Sequence, residues 1–205
     1  MFRRMISRRA ALLGLLALPM PPEAALAGAV RIAAEPWAAK LVDAAKQQIG
    51  VTVSYDPAYR RLAFPGGDVP RQAGVCTDVI IRAYRDAFGF DLQQAVNADM
   101  KRNFSAYPKN WGMARADSNI DHRRVPNLRA FFKRRGAEVK AADFLPGDIV
   151  TQNLPGNLAH IGLVSNRLNS GQTHPLVIHN IGGGAQMEDT LFAFEITGRY
   201  RFPAE

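Results

Sequence analysis

At Leu145-Pro146-Gly147-Asp148 the hydrophobic pattern of this chain changes its period. Upstream, apolar residues recur at helical spacing; downstream, they fall in short runs divided by Gly, Asn and Pro turns. Pro36 opens a first helix that keeps Trp37, Leu41, Val42, Ala45 and Ile49 on one stripe as far as Gly50. Val51 to Tyr55 alternates like a short strand, and Pro65 to Pro70 reads as a turn-rich loop. A second helix begins near Cys76, carries Ile80, Ala83, Tyr84 and Ala87, and ends at Gly89. Asp91 can cap a third, with Leu92, Val96 and Met100, and a fourth runs from Pro126 to Gly136. The strands expected after the switch are 148–152, 160–165, 176–180, 191–195 and 199–202. Helices first and consecutive strands later predict an α+β domain, its N-terminal helices packed on a C-terminal antiparallel sheet of about five strands.

Residues 1–27 stand outside this pattern. Arg3, Arg4, Arg8 and Arg9 precede the apolar run Ala10 to Met20, and Ala25-Leu26-Ala27 is a small-x-small cleavage site. These are the three parts of a secretory signal peptide, and the run is too short to span a bilayer. The Ser7-Arg8-Arg9 stretch also hints at twin-arginine export. The expectation is a leader over 1–27, one domain over 28–205, a periplasmic or secreted location and no stable membrane span. Removing the leader's four arginines and one glutamate from 26 basic and 18 acidic side chains leaves 22 and 17, a net charge of +5. A basic exported protein suits an anionic envelope polymer. The basic run Lys133-Arg134-Arg135 has no interleaved aromatic platform, so nucleic acid is not an expected partner. A monomer is expected.

The chain has one cysteine, Cys76, although it is apparently addressed to a disulfide-forming compartment. A lone thiol there is either a small buried hydrophobe or a nucleophile. Its position at a helix start, after Ala73-Gly74-Val75, offers free amides and the positive end of the helix dipole, which favour thiolate. A thiolate still needs a base to move its proton, and imidazole suits that task near neutral pH. His160 starts one expected strand and His179 ends the next. If residues 166–175 form a hairpin, those two ends meet. A pairing that sets Ser165 against Leu176 puts residue 160 opposite 181; a tighter loop puts His179 directly across from His160. Cross-strand neighbours lie about 4.5–5.5 Å apart at Cβ, so one imidazole can orient the other. Asn180 points to the opposite face from His179, so register decides which of them faces His160.

The stretch Gly74-Val75-Cys76-Thr77-Asp78-Val79-Ile80, the Leu145-Pro146-Gly147-Asp148-Ile149-Val150 strand entry, His160-Ile161-Gly162-Leu163-Val164 and Val177-Ile178-His179 together resemble the NlpC-type papain-like cell-wall peptidases. More closely, Asn119-Ile120-Asp121-His122-Arg123-Arg124-Val125-Pro126-Asn127-Leu128 and His179-Asn180-Ile181-Gly182 resemble an exported bacterial family of unknown function in that group. The matched core spans about Leu41 to Phe202. The resemblance implies a papain-like fold, Cys76 as nucleophile, His160 as base and His179 as orienting third residue. It also implies hydrolysis of amide bonds in peptidoglycan stem peptides. The chain departs from that pattern in having Val75-Cys76-Thr77-Asp78 where the superfamily usually has Asp-Cys-Ser-Gly. It also has Phe64 where many relatives carry a tyrosine, with Tyr55 and Tyr59 further upstream. Both departures bear on the substrate pocket.

His122 and Arg123, in a polar loop with Asp121 and Arg124, are candidates for holding a substrate carboxylate, because arginine forks match carboxylates bidentately. Asn180 is a third candidate at the substrate. A zinc site from His122, His160 and His179 lacks the usual close ligand spacing, so no metal and no cofactor are expected. Gly182-Gly183-Gly184 follows no phosphate-loop pattern and reads as a turn. Two rivals to the peptidase reading remain: a thioesterase or acyltransferase on the same residues, and a non-enzymatic envelope-binding module.

Overall fold

The computed structural model describes residues 30–204, and the expected leader with its cleavage site lies outside the described residues. The helical half comprises α1 (Pro36–Lys46), α2 (Cys76–Phe88), α3 (Leu92–Arg102) and α4 (Val125–Arg134). Between α1 and α2, two short strands, β1 (Ser54–Tyr55) and β2 (Ala73–Gly74), pair in parallel. The second half is a five-stranded sheet of β3 (Ile149–Leu154), β4 (Leu158–Leu168), β5 (Pro175–Asn180), β6 (Ala185–Glu188) and β7 (Glu195–Tyr200). Its order is β6-β5-β4-β3-β7, with every neighbour antiparallel. The chain therefore has the expected α+β architecture.

Local chemistry sets the helix ends. Asp91 caps α3 by accepting the Gln93 N–H at 3.0 Å. Gly89 closes α2 in the left-handed region, φ 66°, which a side chain would resist. The sheet departs from expectation at its edges. Instead of strands at 191–195 and 199–202, a single strand runs from Glu195 to Tyr200. Leu191 lies in a turn and buries itself with Val150, Val164 and Val177 on the far face of the sheet. Its apolar neighbourhood covers a sheet face and does not join a ladder. Strand β6 was not expected at all.

Alternation divides the sheet cleanly. Ile149, Ile161, Leu163 and Ile178 join Leu41, Ile80, Tyr84, Leu92, Phe131 and Phe132 in the main core beneath the helices. Each such fully buried side chain contributes roughly 1.5–3 kcal/mol. Helix α2 is the centre of that core, buried without interruption from Cys76 to Tyr84.

One charged residue on α2 organises the segment that delivers Cys76. Arg82 is fully buried. Its Nε donates to Asp68 Oδ2 at 3.0 Å, and Nη1 to Thr52 Oγ1 at 3.0 Å. Nη2 donates to Asp68 Oδ1 at 3.0 Å and to the carbonyls of Val69 and Ala73 at 3.2 and 3.0 Å. The guanidinium thus fastens the loop before β2, and with it the approach to the helix start. Removing one partner of a buried pair leaves the other uncompensated. Arg82→Ala should therefore lower unfolding free energy by about 3–5 kcal/mol, measured by urea denaturation; a loss within experimental error of zero would show that the loop holds itself.

Candidate active site

Strand β4 runs antiparallel to β5 with Leu163 opposite Ile178 and Val164 opposite Val177. That register places residue 160 opposite 181, so His179 stands opposite Gly162 and not directly across from His160. The two rings nevertheless meet diagonally, His160 Nε2 lying 2.8 Å from His179 Nδ1. Gly162 makes the diagonal possible: a Cβ there would collide with Val177 Cγ1 and lie 3.2 Å from His179 Cβ. His179 Nε2 in turn lies 2.9 Å from Glu188 Oε2, on β6. Glu188 was not foreseen from the sequence, because it depends on the β5–β6 pairing, in which Val177 faces Glu188 and His179 faces Gln186.

This chain of contacts fixes the proton positions. A carboxylate can only accept, so His179 donates its Nε2–H to Glu188 and leaves Nδ1 bare. Bare Nδ1 accepts the Nε2–H of His160, and the lone pair of neutral His160 then sits on Nδ1. Among the described residues no hydrogen bond uses that nitrogen. Burial holds both rings neutral: it pushes His160 down to about 3, helped by the neighbouring His179. Burial also lowers His179, against the hydrogen bond and charge of Glu188.

Cys76 begins α2 and packs against the same end of β4. The Val164 N–H donates to Asp148 O at 2.8 Å, toward β3, so the N–H groups of Leu163 and Ile161 point toward β5. Toward His160 the β4–β5 ladder extends no further than Leu163 and Ile178. In the gap beyond, the Ile161 N–H donates to the Cys76 sulfur. The Tyr55 hydroxyl also reaches that sulfur. No hydrogen bond joins Cys76 to His160 among the described residues. The sulfur therefore touches the residue after the proposed base, on the helix side of the sheet, while His160 and His179 meet on the other face beside Val177. The expectation of a helix-start thiolate is not met either. Burial pushes the thiol up to about 11; the Ile161 amide opposes it, the Asp78 charge adds to it, and the Thr77 amide and Tyr55 oppose it. The resting site holds a neutral thiol and neutral imidazoles.

Of the three residues expected at the substrate, Arg123 and Asn180 are committed to contacts within the fold, and His122 is buried without one at Nδ1. Arg123 donates from Nε and Nη2 to Asp78 at 3.0 and 2.9 Å, and to the carbonyls of Ala58 and Asp56. Its fork is saturated, and this buried pair braces the first turn of α2, where Asp78 also accepts the Val75 N–H at 2.7 Å. His122 is buried, with Nδ1 unpartnered. Asn180 donates to the carbonyls of Ser54 and Gly74, tying β5 to the β1–β2 pair. The cleft of about 430 Å³ beside Cys76 is lined by Tyr55, Trp111, Arg123, Arg124, Leu158 and Ala159, among others, while His122 and Asn180 stand outside it. A larger hollow of about 820 Å³ around Tyr59 and residues 113–119 contains neither cysteine nor histidine, so its size carries no chemistry. Among the described residues no cluster of His, Cys, Asp and Glu has metal-binding geometry, and no helix is long and apolar enough to cross a membrane.

A family model described as Domain of unknown function (DUF1287) matches residues 42–202. The uncharacterized protein YijF of Escherichia coli (strain K12) is 52% identical over 166 residues, which cover 79% of this chain and 80% of that protein.

Buried neutral histidines make stability depend on pH. His122 is pushed down to about 4 by burial and then by the Arg123 charge, and His160 to about 3, both from 6.5. Below 6.5 the unfolded chain takes up protons that the fold excludes, so their contribution is present above 6.5 and lost on acidification. Asp121 acts oppositely: burial raises it to about 6 from 3.8, so its contribution weakens as pH rises toward 6. Three histidines, His179 among them, against one raised carboxyl give a net loss from pH 6.5 to 4, of up to about 1.4 kcal/mol per pH unit for each uncompensated group. Urea unfolding should show that loss, and His122→Gln should shrink it. Flat stability over this window would contradict the buried neutral assignment.

Proposed function

The chain belongs to the DUF1287 family, and from that premise we propose that it is a cysteine hydrolase of papain-like type that cleaves amide bonds in peptidoglycan stem peptides. The observation that carries this reading is the line from Glu188 through His179 to His160, ending on a bare imidazole nitrogen in the strand against which Cys76 packs. A structural role alone does not require two buried histidines with ordered tautomers at the end of a strand against which a buried thiol packs. The resemblance to NlpC-type peptidases, the net charge of the chain beyond residue 27 and the expected export outside the cytoplasm point to a wall polymer as substrate.

In this mechanism the substrate carbonyl enters the cleft beside Cys76. At rest the His160 ring lies with His179 on the face of the sheet away from the helices, whereas Cys76 packs on the helix side. The step therefore requires the strand end at His160 to turn Nδ1 into the cleft, where it takes the thiol proton as sulfur attacks. Catalytic hydrogen bonds absent before substrate binding commonly form in this way. A carbon–sulfur bond forms and the carbonyl becomes an oxyanion, facing the Cys76 backbone N–H at the helix start. His160 passes the proton to the leaving amine as the carbon–nitrogen bond breaks. Water, deprotonated by the same nitrogen, then releases the acid and restores the thiol. His179 and Glu188 hold the tautomer that keeps Nδ1 free and stabilise the imidazolium. Because thiol and imidazole rest neutral, proton transfer accompanies attack and no standing ion pair precedes it.

Incubation with purified peptidoglycan fragments, followed by mass spectrometry, tests this directly. Wild-type protein should release products that each carry a new amine or a new carboxyl. Cys76→Ala should abolish this while costing about 1 kcal/mol of stability, since little volume is removed. His160→Ala should be close to inactive. His179→Asn should retain measurable turnover because its amide oxygen accepts the same imidazole N–H, and His179→Ala should fall between. Unchanged turnover by Cys76→Ala would end the cysteine-hydrolase reading; cleavage of lipid thioesters but of no wall peptide would move the substrate to the thioesterase class.

A further inference from the structure

The cleft beside Cys76 contains one cation whose hydrogen-bonding edge is open. Arg124 donates from Nη1 to Asp121 Oδ1 at a long 3.4 Å and also contacts the Met113 sulfur through the same nitrogen. Among the described residues no hydrogen bond uses its Nε or Nη2, and neither atom is sealed from solvent without a partner. The guanidinium lies 4.0 Å from the centre of the Trp111 ring. A cation–π contact of that kind holds the guanidinium in the cleft, and its unused Nε and Nη2 remain for a ligand. The neighbouring Arg123 is the internal comparison: all three of its nitrogens are engaged, and its side chain is buried.

The groups facing Arg124 do not cancel it. Asp121 is its nearest acid, and Asp117 and Tyr59 act only at longer range. Asp117 is occupied by Asn119, whose backbone and side chain both donate to Oδ1, and by the Tyr59 hydroxyl at 3.0 Å. The remainder of the wall toward Cys76 is mostly apolar, from Ile120, Val125, Pro126, Leu158 and Ala159. A flat two-donor edge matches a carboxylate, and the apolar wall beside it matches a small side chain or methyl group.

We propose that this cleft binds peptide substrates through a free carboxylate held on the Nε–Nη2 edge of Arg124, with a small apolar residue next to it on the path to Cys76. The proposal deepens, and rests on, the hydrolase reading of the same cleft. It transfers the carboxylate-binding role from Arg123 and His122 to Arg124, and Trp111 becomes the platform that holds it in the cleft.

Binding is tested without turnover, on the full chain carrying Cys76→Ala. N-acetyl-alanyl-alanine, with L- or D-alanine at its end, and the matching C-terminal amides are titrated by calorimetry while the Trp111 indole N–H is followed by NMR. One of the acids should bind at least about ten-fold tighter than its amide and shift the Trp111 signal. Arg124→Gln should remove that preference, and Arg124→Lys should keep only part of it, because a point charge lacks the fork. An unfolding midpoint for each variant guards against loss of fold, with Arg124→Lys deciding if the glutamine variant does not fold. Equal binding of acid and amide, a preference that survives Arg124→Gln, no saturable binding, or displacement of the acids by equimolar inorganic phosphate would each overturn the proposal. A wild-type protein that binds the acids yet cleaves no amide would instead sink the hydrolase reading alone.

Discussion

Pairing of Leu163 with Ile178 sets almost everything that matters about this site. It puts Ile161, Leu163 and Ile178 under the helices and turns His160, Gly162, Val177 and His179 to the other face. Within that face it sets His179 over Gly162, which has no side chain to block a ring lying diagonally toward His160. A slip of one residue would send each histidine to the opposite side of the sheet. The same register ends the ladder short of His160, and the Ile161 amide left over there finds the Cys76 sulfur. Register, histidine contact and thiol placement are one constraint seen three times.

Burial then decides the charge state. A helix start and its amides pull a thiol toward thiolate, but here desolvation outweighs them, and the carboxylate of Asp78 adds to it. Asp78 holds the helix start together, accepting from Val75 and pairing with Arg123. The site therefore favours structural order over a reactive resting thiol.

Much of this was legible in the sequence, and the exceptions share a cause. Helical and alternating periods located four helices and the central strands, because each is a local property of a segment packed on one core. Cys76 at a helix start and His160 and His179 at strand ends were likewise readable, and so was the choice between two registers, though not its outcome. What escaped was set by contacts between distant segments. Tyr55 reaches the sulfur only because Ser54 and Tyr55 pair with Ala73 and Gly74. Glu188 enters through an edge strand, Ala185 to Glu188, that is short and lacks β-branched residues. Residues 191–195 have an apolar pattern because Leu191 covers the far face of the sheet, not because they pair. Arg123 and Arg124 are adjacent and chemically alike; only the fold shows that one is committed to Asp78 while the other keeps an open edge in the cleft.

The central claim is that Glu188, through His179, leaves His160 neutral with its basic nitrogen at Nδ1. Long-range ¹⁵N–¹H NMR of the histidine rings at pH 7 reads this without any substrate. The account predicts that both His160 and His179 carry their proton on Nε2 with bare Nδ1, and that Glu188→Ala turns this into a mixture of tautomers. A proton on His160 Nδ1, or a doubly protonated ring at neutral pH, would contradict it.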